Sequence, residues 1–323
     1  MADIYIAHID KENRIQTVKD HCVSTAKLAA DYSIPELKSL CYCAGLLHDI
    51  GKYQDSFQRR IRGESIQVEH SLCGAIETEN YWKKGIIEYV SSMIIELCIM
   101  GHHGGIPDVG YSNDTQDMST LMGRMKRITE DYQEYKEDLS VDSVSDKPLM
   151  NMIKNNGITD NSVVGFIAFI TRYVYSCLTD ADSIDTSDFC NGERNEELKS
   201  DFSECLTLIN RKLSGFTCTT ELQKARSRVQ QCVFSKVNVD SDVYLMNMPT
   251  GSGKTLCSMK FALERAIRTN KRRIIYVIPF NSIIDQTVEE FQNMFGDKAK
   301  ILRHQSSFSY DNSTSEDYAH LLK

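Results

Sequence analysis

The chain has 323 residues, 41% of them hydrophobic and 25% charged, and a formal net charge of −8. That balance excludes a collagen-like or intrinsically disordered chain, and the length predicts two domains. No run approaches ~18 uninterrupted apolar residues, and the opening MADIYIAHIDKENRIQ is charged where a signal peptide is apolar, so a cytoplasmic protein with no membrane partner is expected.

In chain order, Val18, Cys22, Thr25, Leu28 and Ala29 recur at helical spacing, as do Leu37, Leu40, Cys41, Ala44 and Leu47, then Ile87, Val90, Ile94 and Leu97. Residues 104–118 and 138–148 are polar and turn-rich, which predicts surface loops. A longer helix is expected from a cap at Thr159 or Asp160, with Val163, Ile167, Ile170, Val174, Cys177, Leu178 and Ala181 on one face. Residues 1–190 therefore predict a helical bundle. The polar run NGERNEELKSD then opens a linker over 191–225 with one or two short helices. Beyond it, 243–246 reads as a buried strand, 254–269 as a helix and 273–278 as a second strand, the start of a parallel α/β domain. About 80 residues follow the first strand, too few for an NTPase core of ordinary size.

Charge divides along the same line. Residues 216–323 hold 15 Lys and Arg against 11 Asp and Glu, whereas residues 1–215 hold 22 against 34. So acidic a first part does not offer a broad nucleic-acid surface, and a polyanion there needs cations to neutralise it. The eleven cysteines include no C-x-x-C pair and sit largely in apolar runs, which predicts reduced, buried thiols.

Most of the eight histidines lie between residues 21 and 103. His21 shares the stripe of Val18, Thr25 and Leu28; a single inward histidine is more often a hydrogen-bonded core residue than a ligand. His48 and Asp49 follow the next stripe in LLHDIGKY. Neighbouring helical residues diverge by about 100°, so the two reach one centre only at a seam between helices. His70 opens EHSLCGA, His102 and His103 close MGHHGG, and Asp182 follows Ala181 in LTDADSID. Imidazole nitrogens and carboxylate oxygens suit borderline divalent metals, and one carboxylate shared between two histidine groups sets two ions about 4 Å apart. A helical bundle lets such ligands converge.

In that order, with His48-Asp49 inside H-D-x-G-K, the set resembles the HD phosphohydrolase superfamily. EHSLCGA, HHGG and the D-A-D ending resemble, over about residues 15–190, the HD nuclease domain of the CRISPR-associated nuclease-helicase of type I systems. The resemblance implies a mainly α protein: an HD-type nuclease domain at 1–190, a linker at 191–225, and at 226–323 the N-terminal portion of a RecA-like α/β helicase lobe, incomplete. One metal would be held by His21, His48, Asp49 and Asp182, the other by Asp49, His70, His102 and His103, with Asp49 bridging and Asp180 the rival of Asp182. His48, Asp49 and Lys52 would be catalytic, Lys52 facing the scissile phosphate unless it is a solvated lysine after a helix. The ions would be Mn, Ni, Co or Fe, or else Mg, serving hydroxide attack on phosphorus. Imidazole binds metal only when neutral, so activity is expected to collapse at acidic pH. Tyr53 and Phe57 either stack on a base or pack a helix face, and Gly104 and Gly105 leave room for substrate or a lid.

Residues 248–255, MPTGSGKT, follow one expected strand and precede a helix, the setting that makes a glycine-rich string a phosphate loop. Backbone N–H groups from Thr250, Gly251, Ser252, Gly253 and Lys254 would cradle phosphates, Lys254 would neutralise the β and γ groups, and Thr255 would ligate magnesium, making ATP with Mg the second cofactor. Met248 stands where the general pattern has Gly, which resembles superfamily 2 helicases. Ser282 and Gln286, in YVIPFNSIIDQT, either meet a nucleic-acid backbone phosphate or simply open a polar helix, and HQSS at 304–307 fits the same resemblance. No D-E-x-H follows, so neither ATP turnover nor unwinding is expected of the chain by itself.

The function expected is cleavage of single-stranded DNA, endo- or exonucleolytic, in type I CRISPR antiviral defence, on targets opened by a guide-RNA surveillance complex and open to an inhibitor protein. An HD-type nucleotide phosphohydrolase and a non-catalytic binding module are the alternatives.

Overall fold

The computed structural model describes residues 4–191 and 200–303 and divides the chain into two compact units, Met1–Arg194 and Asn195–Lys323. HQSS and most of NGERNEELKSD fall outside the described residues.

The first unit opens with a hairpin that the helical reading of this region did not anticipate. Strand β1 (Ile6–Ile9) pairs antiparallel with β2 (Ile15–Thr17), and Asp10 holds the turn by accepting the N–H groups of Glu12 and Arg14 at 2.9 and 2.8 Å. Thr17 then caps α1 (Val18–Tyr32): its Oγ1 accepts the Asp20 N–H at 3.0 Å, and the Asp20 carboxylate lies in the first turn, where the helix dipole favours negative charge.

Next come α2 (Lys38–Leu47), a 3-10 turn at Ile50–Tyr53, and α3 (Asp55–Ile61), α4 (Ser71–Lys83) and α5 (Tyr89–Gly101). Short helices α6 (Leu121–Arg124) and α7 (Tyr135–Asp138) lead to α8 (Lys147–Asn155) and the long α9 (Asp160–Asn191). The Asp146 carboxylate, from the loop before α8, caps α5 by accepting the N–H groups of Val90 and Ser91 at 2.9 and 2.7 Å.

One core joins α1, α2, α5 and α9. Within it Leu47, Ile94, Ile95, Ile99 and Leu178 are fully buried, each contributing about 1.5–3 kcal/mol of transfer free energy. By length and composition α9 is apolar enough to cross a membrane; its Ile170, Val174, Leu178 and Ala181 are core residues, while Val164 and Phe169 are exposed.

The second unit contains α10 (Phe202–Ser214), α11 (Glu221–Phe234), α12 (Lys254–Arg268) and α13 (Asn281–Phe295). Cys205 and Ile209 of α10, in the stretch read as linker, are buried with Leu256, Met259, Leu263, Phe291 and Phe295.

The protein is mainly α, as expected, but the two strands expected in the second unit are not formed. Segments 243–246 and 273–278 pair with no strand among the described residues, and Leu245 and Val277 are 96% and 86% exposed. The reason is physical: a helix closes its own hydrogen bonds, whereas a strand needs a neighbour that its local sequence does not provide.

Candidate metal centre

Most of the candidate ligands come from helix ends. His21 lies in the first turn of α1, His48 directly follows α2 with Asp49 next to it, His70 precedes α4, His102 and His103 follow α5, and Asp182 lies in the last third of α9. Gly51 makes the convergence possible. A Cβ there would stand 2.0 Å from the carbonyl oxygen of His70, so only glycine lets the His48-Asp49 corner approach the His70 backbone.

Asp49 faces two groups at once. Its Oδ2 lies 3.2 Å from His21 Nε2 and 3.4 Å from His48 Nε2, while Oδ1 lies 3.2 Å from His70 Nε2 and 3.4 Å from His102 Nε2. Asp182 Oδ1 completes the first group at 3.3 Å from His21 and 3.6 Å from His48, and His103 Nε2 joins the second at 2.7 Å from His70 Nε2. Within each group, His21-His48-Asp49-Asp182 and Asp49-His70-His102-His103, the ligand atoms lie within 4.8 Å of one another. Metal bonds of about 2.0–2.2 Å set neighbouring ligand atoms roughly 3–3.5 Å apart, so these spacings fit a cation. Asp49 Oδ1 and His102 Nε2 are buried and have no hydrogen-bond partner among the described residues, the state of atoms whose partner is an ion.

The rings are held from behind. His48 Nδ1 lies 2.7 Å from the Gly45 carbonyl oxygen and His102 Nδ1 2.6 Å from that of Ile99, contacts that assign the proton to Nδ1 and the lone pair to Nε2.

Burial alone would raise the Asp49 carboxyl, but Lys52, His48 and His70 around it outweigh that and hold it well below the usual range. Asp182 is likewise pushed up by burial and then held far down by His21 and His48. Burial lowers His21, yet Asp182, Asp185 and Asp49 raise it to about 10. His103 is lowered to about 4 by burial and by His102 and His70.

Of the two rival carboxylates, Asp182 rather than Asp180 enters the first group. Lys52 is not the solvated lysine that was one reading: it is 5% exposed, with Nζ 2.7 Å from Asp49 Oδ2 and 3.2 Å from His8 Nε2. Tyr53 and Phe57 are buried, Tyr53 donating to Asp138 at 2.7 Å, so the packing role applies to both.

Sequence reasoning missed Asp185, whose Oδ2 lies 2.7 Å from His21 Nδ1, Gln16, which donates to the same oxygen at 2.7 Å, and His8, whose ring lies edge-on to His21 at 4.7 Å. The one signal for Asp185 was its three-residue spacing from Asp182. Burial, then Lys52 and His21, lowers His8 to about 3.

Beside His103 a cavity of about 470 Å³ is lined by Ser71, Gly104, Gly105, Thr120 and Arg124. The 104–118 loop along it is anchored: Lys126 Nζ donates to the carbonyls of Ser112 and Asp114 at 2.7 and 2.5 Å, and Arg127 Nε to that of Gln116 at 2.8 Å.

In the second unit the phosphate loop turns into α12 through Gly251 and Gly253, both at positive φ (78° and 87°). Ser252 Oγ donates to the Pro249 carbonyl at 2.6 Å, and Gln230 of α11 donates to the Ser252 carbonyl at 3.0 Å. Thr250, Gly251 and Lys254 are exposed, Lys254 at the first position of α12; Ser282 and Gln286 are exposed in the first turns of α13.

Residues 18–135 match the family described as HD domain, and residues 218–322 the family described as Type III restriction enzyme, res subunit. Among curated proteins the chain is similar to a Caenorhabditis elegans protein, Helicase POLQ-like, at 31% identity over 107 residues, 32% of this chain and 11% of that helicase. It is also similar to the human U5 small nuclear ribonucleoprotein 200 kDa helicase, at 29% identity over 83 residues, 24% of this chain and 4% of that protein. The chain thus spans a small part of the length of these relatives. The matches pair an HD-type region with a helicase-type region, and the first unit carries two His and Asp groups that could hold a metal ion. Asp182 and Asp185 both lie beyond the HD match.

Proposed function

We propose that the chain is a metal-dependent nuclease that cleaves single-stranded DNA, joined to part of an ATP-dependent helicase, and that it serves type I CRISPR antiviral defence. The observation that carries this reading is Asp49, whose two oxygens face two separate groups of imidazoles. His21, His48, Asp49 and Asp182 would hold one cation and Asp49, His70, His102 and His103 the other, each a transition metal such as Mn, Ni, Co or Fe, or else Mg. When bound, two divalent cations supply Lewis acidity and positive charge to a phosphodiester.

The chain's own groups do the rest. Asp49 fixes the spacing of the two groups, and the carbonyls of Gly45 and Ile99 keep His48 and His102 from turning. Lys52, against Asp49, adds a fixed positive charge to a site that an otherwise acidic unit must offer a polyanion. The cavity beside His103 is the entry for the strand.

Thr250 to Thr255 would hold ATP with Mg, and the helicase relatives support that assignment. A guide-RNA surveillance complex would present the single strand, an inhibitor protein is a further expected partner, and the cytoplasm is the expected place of action.

The test is chelator-treated protein reloaded with Mn²⁺ and offered circular single-stranded DNA, linear single-stranded DNA or mononucleotides. Metal-dependent opening of the circle or shortening of the linear strand supports the nuclease. Hydrolysis of mononucleotides alone transfers the reading to a nucleotide phosphohydrolase, and inertness with two ions bound leaves a binding module.

A further inference from the structure

His48 and His102 sit at helix C-termini, where the last carbonyls lack helical partners and are available to a ring N–H. His21 sits at the opposite end of a helix, the fourth residue of α1, where the spare backbone groups are N–H donors. It therefore has no carbonyl of its own helix to accept from Nδ1. Asp185 stands in that place: its Oδ2 lies 2.7 Å from His21 Nδ1, and the residue is 7% exposed. The ring is thus gripped from both sides, with Nε2 3.2 Å from Asp49 and 3.3 Å from Asp182. Asp182 and Asp185, three residues apart, share one face of α9. Gln16 of β2 donates to the same Asp185 oxygen at 2.7 Å, tying the N-terminal hairpin to this grip.

We propose that Asp185 is the positioning residue of the first metal group, holding the Nδ1 proton of His21 so that Nε2 is the nitrogen that gives its lone pair to the cation, and that Gln16 makes the N-terminal hairpin part of the same device. The proposal rests on the two-metal reading above. Without an acceptor at Nδ1 the proton is free to sit on Nε2, the atom that the ion requires, and the ring is free to turn. Asn in place of Asp185 retains an acceptor oxygen but not the charge, Ala retains neither, and Gln16→Leu removes only the tether.

The experiment is titration of the chelator-treated full chain with Mn²⁺ by calorimetry, with circular dichroism to verify folding and NMR of the zinc-loaded protein to observe the His21 Nδ1–H. The original chain is expected to take up to two ions and to show that proton protected from exchange. Asp185→Ala is expected to weaken one site by about 10–100-fold, the usual loss for a partner behind a ligating histidine, with the other site unchanged. Its Nδ1–H should exchange freely. Asp185→Asn should fall between, and Gln16→Leu should lose a few-fold at the same site. A merely structural Asp185 would lower the melting temperature and leave Mn²⁺ affinity and the protected proton as they were, and that result overturns the proposal. Should Asp185→Ala not fold, Asp185→Asn and Gln16→Leu binding both ions as the original does overturn it equally. Failure of the original chain to bind any ion overturns instead the two-metal reading beneath it.

Discussion

The two units present charged chemistry in opposite ways. In the first, imidazoles and carboxylates from five places in the chain are drawn together, most of them buried or half-buried, largely by the ends of helices packed in one unit. In the second, the phosphate loop stands at the start of one helix, and the apolar extended segments around it, at Val243, Leu245, Ile275 and Val277, face outward. A site built where helices meet is complete once they pack, because each helix satisfies its own backbone. One built on a sheet inherits the sheet's dependence on neighbouring strands.

The largest expected effect breaks the contrast outright. Asp49→Ala should remove both ions and lower DNA cleavage by more than about 100-fold, since even partners behind the ligands cost 10–100-fold. ATP binding by the second unit should persist, measured by elemental analysis beside a nucleotide-binding assay; Lys254→Ala should do the reverse.

Gly51→Ala comes next. Its Cβ has no room against the His70 carbonyl, so it should destabilise the first unit by about 1–3 kcal/mol and loosen the second metal group through His70. Two separated melting transitions, with only the first shifted, would sharpen the contrast.

A gentler effect is expected from pH in the absence of metal. His21, raised to about 10, stabilises fully below pH 6.5, and that contribution fades as pH rises toward 10. His8 and His103, lowered to about 3 and 4, act in the other direction: below pH 6.5 the unfolded chain takes up protons that the folded chain refuses, so stability falls. Urea unfolding in chelator at pH 5, 6.5 and 9 should therefore show its maximum at the middle value. At pH 7 Mn²⁺ binding should release protons, as calorimetry in two buffers of different ionisation enthalpy would measure, and affinity should fall on acidification.

The smallest effect is expected outside the cores. Leu245→Lys should change stability by no more than about 0.5 kcal/mol, because that side chain already faces outward. A loss of 2 kcal/mol or more on chemical unfolding would mean that this segment is packed after all.

The sequence made the bundle legible because helical periodicity reports burial directly, and the ligands were legible because His21 interrupts a stripe that would otherwise be apolar while His48 and His102 directly follow two others. Asp185 was hidden among the acidic residues of LTDADSID, where spacing alone does not say which carboxylate faces inward. The burial of Lys52 was equally unreadable: Asp49 opens the turn that carries Lys52, but the burial depends as well on His8 arriving from β1. In the second unit the β-branched runs read as strands, but their composition is silent on whether a partner lies alongside.

The length of α9 carries a mechanical consequence. From Ile170, anchored in the core, to Asp182 the helix rises about 18 Å without interruption, acting as a stiff rod with two acidic teeth at one end. Deleting one residue from that span would turn the far end by about 100° and swing both teeth away together. Drift in this stretch should therefore proceed by exchange of side chains, with indels in related chains confined to the loops.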